Sequence, residues 1–340
     1  MRCNEAFFWV DATKVVSCFA SCGMLYLTNG LSDVLQIKGR ERNIALIVVA
    51  FLPAFYLAGG MVSPDALTGF MMTLAWYLTL CWYQDCSWKN TIFLAITYGL
   101  AMLTKNSCGV IAIFTALLFV SKLIEEVKAA RGIFIVVKYF VFAAISLPLG
   151  LWYSVRNYIR FQQPLGYVLE IGEDSFTYTG QYSMIARLIG IDWKNLLQTP
   201  YADVGEDYNA PVYFLKSALF GEFTYSVEGM IPVLLLLAAF ILSIGVVAEI
   251  VSELKGKVYD GEGKGILIIC LLYYGSIVGF NIRYPHACSM DYRYMLFLTI
   301  PAGFLLGKNI VNCKNVWYNN LLLSGLLLYI VNSCIMYTRI

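Results

Sequence analysis

Ten apolar runs, most of them long enough to cross a lipid bilayer, constrain this chain more than any other feature. A spanning helix needs about 17 to 25 mainly apolar residues. Runs that meet or approach that length lie at 14–32, 43–61, 66–84, 91–104, 107–124, 133–153, 230–251, 266–281, 293–310 and 317–337. Hydrocarbon offers no water to the backbone, so each run has to satisfy its own N–H and C=O groups as a helix. The expected fold is all-α: a polytopic membrane bundle of about ten transmembrane helices forming one domain over 1–340. Its spanning parts are 14–153 and 230–337, and 154–229 is an exoplasmic loop. The runs 91–104 and 107–124 are short and read as a helical hairpin broken at Lys105-Asn106-Ser107, one arm being a candidate re-entrant segment.

Composition agrees: 59% of the residues are hydrophobic and 14% charged, with a mean hydropathy of +0.69, far from a soluble globular chain. Net charge is +2, and no basic run is longer than Lys38-Gly-Arg-Glu-Arg42, which excludes a nucleic-acid partner. The ten cysteines form no CxxC pair and no zinc spacing. Several, such as Cys81, Cys270 and Cys334, sit inside apolar runs and read as small packing residues. A disulfide between Cys288 and an outward partner such as Cys3 stays open. The first residues lack the order of a signal peptide, so insertion is expected to rely on the helices themselves.

Short loops next to helix ends report orientation through their Lys and Arg content. With the N-terminus outside, the inner loops hold Lys38, Arg40 and Arg42; Lys89; Lys122, Lys128 and Arg131; Lys255, Lys257 and Lys264; Lys308 and Lys314. Every inner loop is then basic, and both termini are expected on the exoplasmic side of a multi-pass cell-membrane protein. The segment 154–229 is too polar to span and too long for a turn. Within it 182–197 and 210–223 carry apolar residues at helical spacing, which predicts two helices lying on the outer membrane surface.

Charged groups at membrane depth cost about 2.5 to 3.5 kcal/mol each on insertion scales, so their collection on one face carries information. Asp65 opens a helix at its outer end, Lys105 sits at the hairpin tip, and Arg156 and Arg160 end a helix. Lys216, Glu222, Arg283, His286, Asp291 and Arg293 follow on the same side. An outward-facing polar cavity is the simplest arrangement that gathers them. Asp65 after Pro64 is equally an N-terminal helix anchor; Lys105 has a snorkelling reading too, but it interrupts an apolar stretch of about thirty residues, which favours a functional one. Asp291 and Arg293 are equally a local ion pair. On the functional side, Lys105 is a cation for a lipid phosphate and Arg293 its bidentate clamp, because the guanidinium fork matches phosphate oxygens. His286, the one histidine, is a weak catalytic candidate. Asp65, Glu222 and Asp291 offer oxygen ligands to a divalent cation, and metal dependence is open.

Five strings in order resemble the family 39 glycosyltransferases, relatives of the protein O-mannosyltransferases and of the enzymes that add aminoarabinose to lipid A. They are Ser63-Pro-Asp65-Ala-Leu67, Gly99-Leu-Ala-Met-Leu-Thr-Lys105, Arg156-Asn157 through Pro164-Leu-Gly-Tyr167, Tyr213 through Phe220-Gly-Glu222-Phe223, and Ser289-Met-Asp291-Tyr-Arg293-Tyr294. The resemblance implies transfer of a sugar from a polyprenyl-phosphate donor to an acceptor on the exoplasmic side, with inversion at the anomeric carbon. It implies Asp65 as the catalytic carboxylate on the acceptor or sugar side, and a substrate-binding set of Lys105, Arg156, Lys216, Glu222, Asp291 and Arg293. Partners are then the lipid-linked sugar and membrane lipid, with the acceptor unidentified. Family members begin with an outward helix and an acidic first loop. This chain starts after that point, and of its early acids Glu5 and Asp11 neither fits the motif; the general base is therefore expected to be missing. Two readings compete. One is a transporter or flippase of a lipid-linked sugar or other polar solute, against which the lack of an internal repeat weighs mildly. The other is an envelope acyltransferase or polysaccharide polymerase centred on His286.

Overall fold

The structure, a computed structural model, describes residues 2–129, 132–225, 229–256 and 261–338; the side chains of 2–9 and 261–262 are not described. Arg131 and Lys257 of the expected inner loops and the Cys3 side chain fall outside it. The described cysteines, Cys288 included, are free thiols.

In chain order the helices are α1 (Arg2–Val34), α2 (Gly39–Ala50), α3 (Pro53–Gly60), α4 (Asp65–Gln84), α5 (Trp88–Thr104), α6 (Val110–Lys128) and α7 (Gly132–Phe161). After these come the short α8 (Met184–Leu188) and α9 (Trp193–Gln198), then α10 (Ala210–Phe220), α11 (Ile231–Lys255), α12 (Gly261–Arg283), α13 (Thr299–Asn312) and α14 (Val316–Thr338). Three 3₁₀ segments, Asn106–Gly109, Ala287–Met290 and Tyr292–Leu298, complete the set. The protein is an all-α, polytopic membrane bundle. Each of the ten apolar runs is helical. Among the described residues seven spans are long and apolar enough to cross a membrane, or eight if α2 and α3 count as one span bent by 46°. The bend has a local cause: Pro53 opens α3, and a proline ring can neither donate to the preceding turn nor clear its carbonyl. Helices α4 and α5, which occupy the runs 66–84 and 91–104, are not among those spans, and much of α4 is interior, with Trp76 edge-on to Phe297 and Phe304 at 5.9 and 6.2 Å.

Close helix approach depends on small residues. A Cβ on Gly150 of α7 would stand 2.8 Å from the Met102 Cβ of α5, and one on Gly307 of α13 would stand 2.6 Å from the Glu41 carbonyl oxygen of α2. On its other side α7 turns Phe134 and Phe140 outward, as a lipid-facing helix does.

The polar ends of the bundle separate. One end holds Arg42 paired with Asp33 at 2.6 Å, Lys122 with Glu125 at 3.1 Å and Lys308 with Glu253 at 2.7 Å. These are residues of the expected inner loops and their neighbours. The opposite end holds Asp65, Lys105 and Arg293. The long loop is differently built from the pair of surface helices expected of it. The stretch 182–197 forms two short helices, α8 and α9, the second capped by Asp192, whose carboxylate accepts from the Lys194 and Asn195 N–H groups. Helix α10 forms where expected but is mostly buried, against α3 and the 292–298 segment.

Candidate functional site

Three residues distant in sequence meet at the end opposite the inner loops. Asp65 begins α4, and the Ser63 hydroxyl donates to its Oδ2 at 2.6 Å while the Asp65 N–H donates to Ser63 Oγ. Lys105 ends α5 in extended conformation, where the chain breaks into the 106–109 turn. The break expected at 105–107 is thus present, but α5 packs on α7 and α4 rather than forming a hairpin with α6. The Lys105 Nζ lies 2.6 Å from Asp65 Oδ1. Arg293 is set by Asp291, which caps the 292–298 segment by accepting the Arg293 N–H at 2.8 Å. Beneath both cations lies the ring of Tyr294, 4.2 Å from Lys105 Nζ and 5.0 Å from the Arg293 guanidinium carbon. The quadrupole of the ring attracts both cations. Tyr273 holds that tyrosine from α12 by donating to its backbone carbonyl at 2.6 Å.

The electrostatics are lopsided. The carboxylates are interior, with side-chain exposures of 7% for Asp65 and 5% for Asp291, whereas Lys105 and Arg293 keep 31% and 32%. A solute arriving from outside meets the cations first. Arg293 Nε is 3.5 Å from Asp291 and 4.0 Å from Asp65, too far for a hydrogen bond to either, and it is a buried donor without a partner. Three hollows adjoin the cluster. One of about 210 Å³ borders Lys105, with Asn106, Tyr153, Asn157, Gln163 and Tyr167 in its wall. A cleft of about 10 Å³ runs between Lys105 and Arg293 over Asp65. A third hollow, of about 30 Å³, is lined by Glu222, Asp291 and Arg293 together with Leu57 and Met61. The cleft has room for about one water, so an anion larger than that would engage the cations from their exposed side.

The other expected residues divide. Glu222, just past α10, joins through the third hollow and accepts from the Tyr213 hydroxyl at 3.4 Å. Arg156 stands one position from Asn157, over the Tyr153 ring at 5.7 Å, outside the cluster and outside the walls of the 210 Å³ hollow. Lys216 requires a correction: it is wholly buried, its Nζ donating to Asp207 at 2.9 Å and to the Asn195 carbonyl at 3.0 Å, which removes it from any substrate. Its role is to fasten α10 to the loop. His286 is buried too, 3.2 Å from Thr177 Oγ1 and paired with Tyr178 in an isolated β-bridge, a structural position. Among the described residues no three His, Cys, Asp or Glu side chains are grouped to hold a metal ion, and Arg293 lies between Asp65 and Asp291. Tyr294, Ser63 and Tyr273 escaped the sequence reading. Ser63 and Tyr294 both stood inside quoted strings, while nothing in the sequence singles out Tyr273.

No protein-family model matches the chain, and no curated protein matches it. Among solved structures it is similar to the crystal structure of ArnT from Cupriavidus metallidurans in the apo state, at 12% identity and a TM-score of 0.34. The match covers 87% of this chain and 62% of that one, so the chain spans less than two thirds of the neighbour's length.

Proposed function

We propose that this protein is a glycosyltransferase that moves a sugar from a polyprenyl-phosphate donor to an acceptor on the exoplasmic side of the membrane. The observation that carries the reading is the meeting of Lys105 and Arg293 over one tyrosine ring, with Asp65 between them, both cations partly exposed and one guanidinium N–H unpartnered. The five ordered strings of the sequence point the same way.

In the proposed reaction the acceptor O–H or N–H attacks the anomeric carbon, and the bond from that carbon to the phosphate oxygen breaks. The electron pair stays on the phosphate, where Lys105 and Arg293 offset the growing negative charge. The tail of the donor remains among lipid. Asp65 already has Lys105 on one oxygen and Ser63 on the other. A carboxylate so engaged is poorly placed to take a proton, and we assign it to positioning the cations. Glu222 is exposed, shares a hollow with Arg293 and is not paired with a cation. It is the group we assign to receive the acceptor proton. A single displacement gives inversion.

The test uses the purified protein in lipid vesicles with a polyprenyl phosphate as ligand. Each charge-assisted hydrogen bond lost should cost about 1.5 to 3 kcal/mol, so Lys105→Ala and Arg293→Ala should each weaken binding by about 10- to 100-fold. Glu222→Gln should leave that binding unchanged and lower the transfer rate by about 100-fold or more. Unchanged affinity in both cation variants removes the phosphate site and the reading with it.

A further inference from the structure

Of the thirteen residues around the hollow of about 210 Å³, Lys105 alone is charged; the rest of the polar wall is carboxamide, hydroxyl and phenol. We propose that this hollow receives the sugar ring of the donor and selects an uncharged, hydroxyl-bearing ring over amino or acidic sugars. The inference rests on the lipid-phosphate reading above and deepens it.

Position, chemistry and capacity agree. Lys105 borders both this hollow and the cleft beside Arg293, so a ring lodged here is next to the cation that holds its phosphate, as the single linkage of a glycosyl phosphate requires. Carboxamides both donate and accept, which suits hydroxyls that do the same. Among the described residues, the side chains of Asn106, Ser154 and Gln163 form no hydrogen bond with the protein and keep that capacity for a ligand. Tyr167 also lines the hollow and adds aromatic surface for the C–H side of a sugar.

An ammonium on the sugar would find no carboxylate in the wall. The nearest, Asp65, is paired with Lys105 at 2.6 Å on the far side, and the Lys105 charge repels it. A sugar carboxylate would compete with the phosphate for the same lysine. The volume fits one small polar ring, below the range of about 300 to 1,000 Å³ typical of larger ligands.

The experiment compares four probes on the wild-type protein in vesicles: a polyprenyl phosphate and its hexosyl, aminopentosyl and uronyl esters. The expected result is that the hexosyl ester binds about tenfold tighter than the bare phosphate, from a few net hydrogen bonds, and that the two charged esters do not. Asn157→Ala and Gln163→Ala should abolish this increment and leave bare-phosphate affinity unaltered, which also reports that the variants are folded. Gln163→Glu, which supplies the missing carboxylate, should improve the aminopentosyl ester about fivefold or more. If the bare phosphate binds and depends on Lys105, yet the hexosyl ester gains nothing or a charged ester binds tightest, the donor reading stands and this inference is overturned. If none of the four binds, both fall.

Discussion

At the scale of single residues, the contrast between Lys105 and Lys216 shows how one side-chain type takes two roles. Both ammonium groups sit within 3 Å of a carboxylate. Lys105 keeps about a third of its surface and faces hollows, whereas Lys216 and Asp207 have 0% and 1%. Burial raises the Asp207 pKa, against the Asp203 N–H and Lys216, which favour its charged form. Removing one partner of a buried pair leaves an uncompensated charge and costs about 3 to 5 kcal/mol. Lys216→Met should therefore lower thermal stability in detergent by that amount. Adding Asp207→Asn should restore most of it, because the amide oxygen still accepts from Asp203. A Lys216→Met variant as stable as wild type would contradict the sealed pair.

At the scale of elements, helix contacts are decided by glycines whose neighbours are backbone. A Cβ on Gly307 would press on the Glu41 carbonyl at 2.6 Å, and one on Gly303 would meet the Ala45 carbonyl oxygen at 3.2 Å. A backbone carbonyl cannot swing away as a side chain does, so Gly307→Ala should force α13 from α2 and cost about 1 to 3 kcal/mol. Gly275→Ala on α12, with open space around it, should be neutral or slightly stabilising, since alanine favours helix over glycine by up to about 1 kcal/mol. Equal melting shifts for the two variants would show that the α2–α13 contact is looser than described. Helix α10 belongs to this scale as well. Its apolar spacing predicted a surface helix, and the partner that permits the burial of Lys216, Asp207, lies in the preceding loop, a pairing that periodicity does not reveal.

At the scale of the whole molecule, charge divides the bundle into two ends, and the candidate site occupies one of them. The bias of Lys and Arg toward the other end leads to a further expectation: the end with Asp65, Lys105 and Arg293, together with the loop 154–229, faces outward. In a cysteine-free background, a membrane-impermeant maleimide on intact cells should label Glu173→Cys and leave Lys314→Cys unlabelled, both positions being exposed. The reverse pattern would invert the topology and remove the exoplasmic reaction from consideration.

The positions of the helices were legible in the sequence because a bilayer makes helix formation a local matter: a run such as 317–337 must close its own hydrogen bonds whatever its neighbours do. The break at Lys105 was legible for the same reason, as a charge interrupting apolar sequence. So was the placement of Asp65, Lys105 and Arg293 at the same end. Which of those charges touch was decided by tertiary structure alone, since the pairing of Asp65 with Lys105, the orphaned N–H of Arg293 and the loss of Lys216 to Asp207 depend on the packing of segments far apart in the chain. Hydropathy is a property of each segment by itself; a site made from several of them exists only once their side chains have been packed around one another.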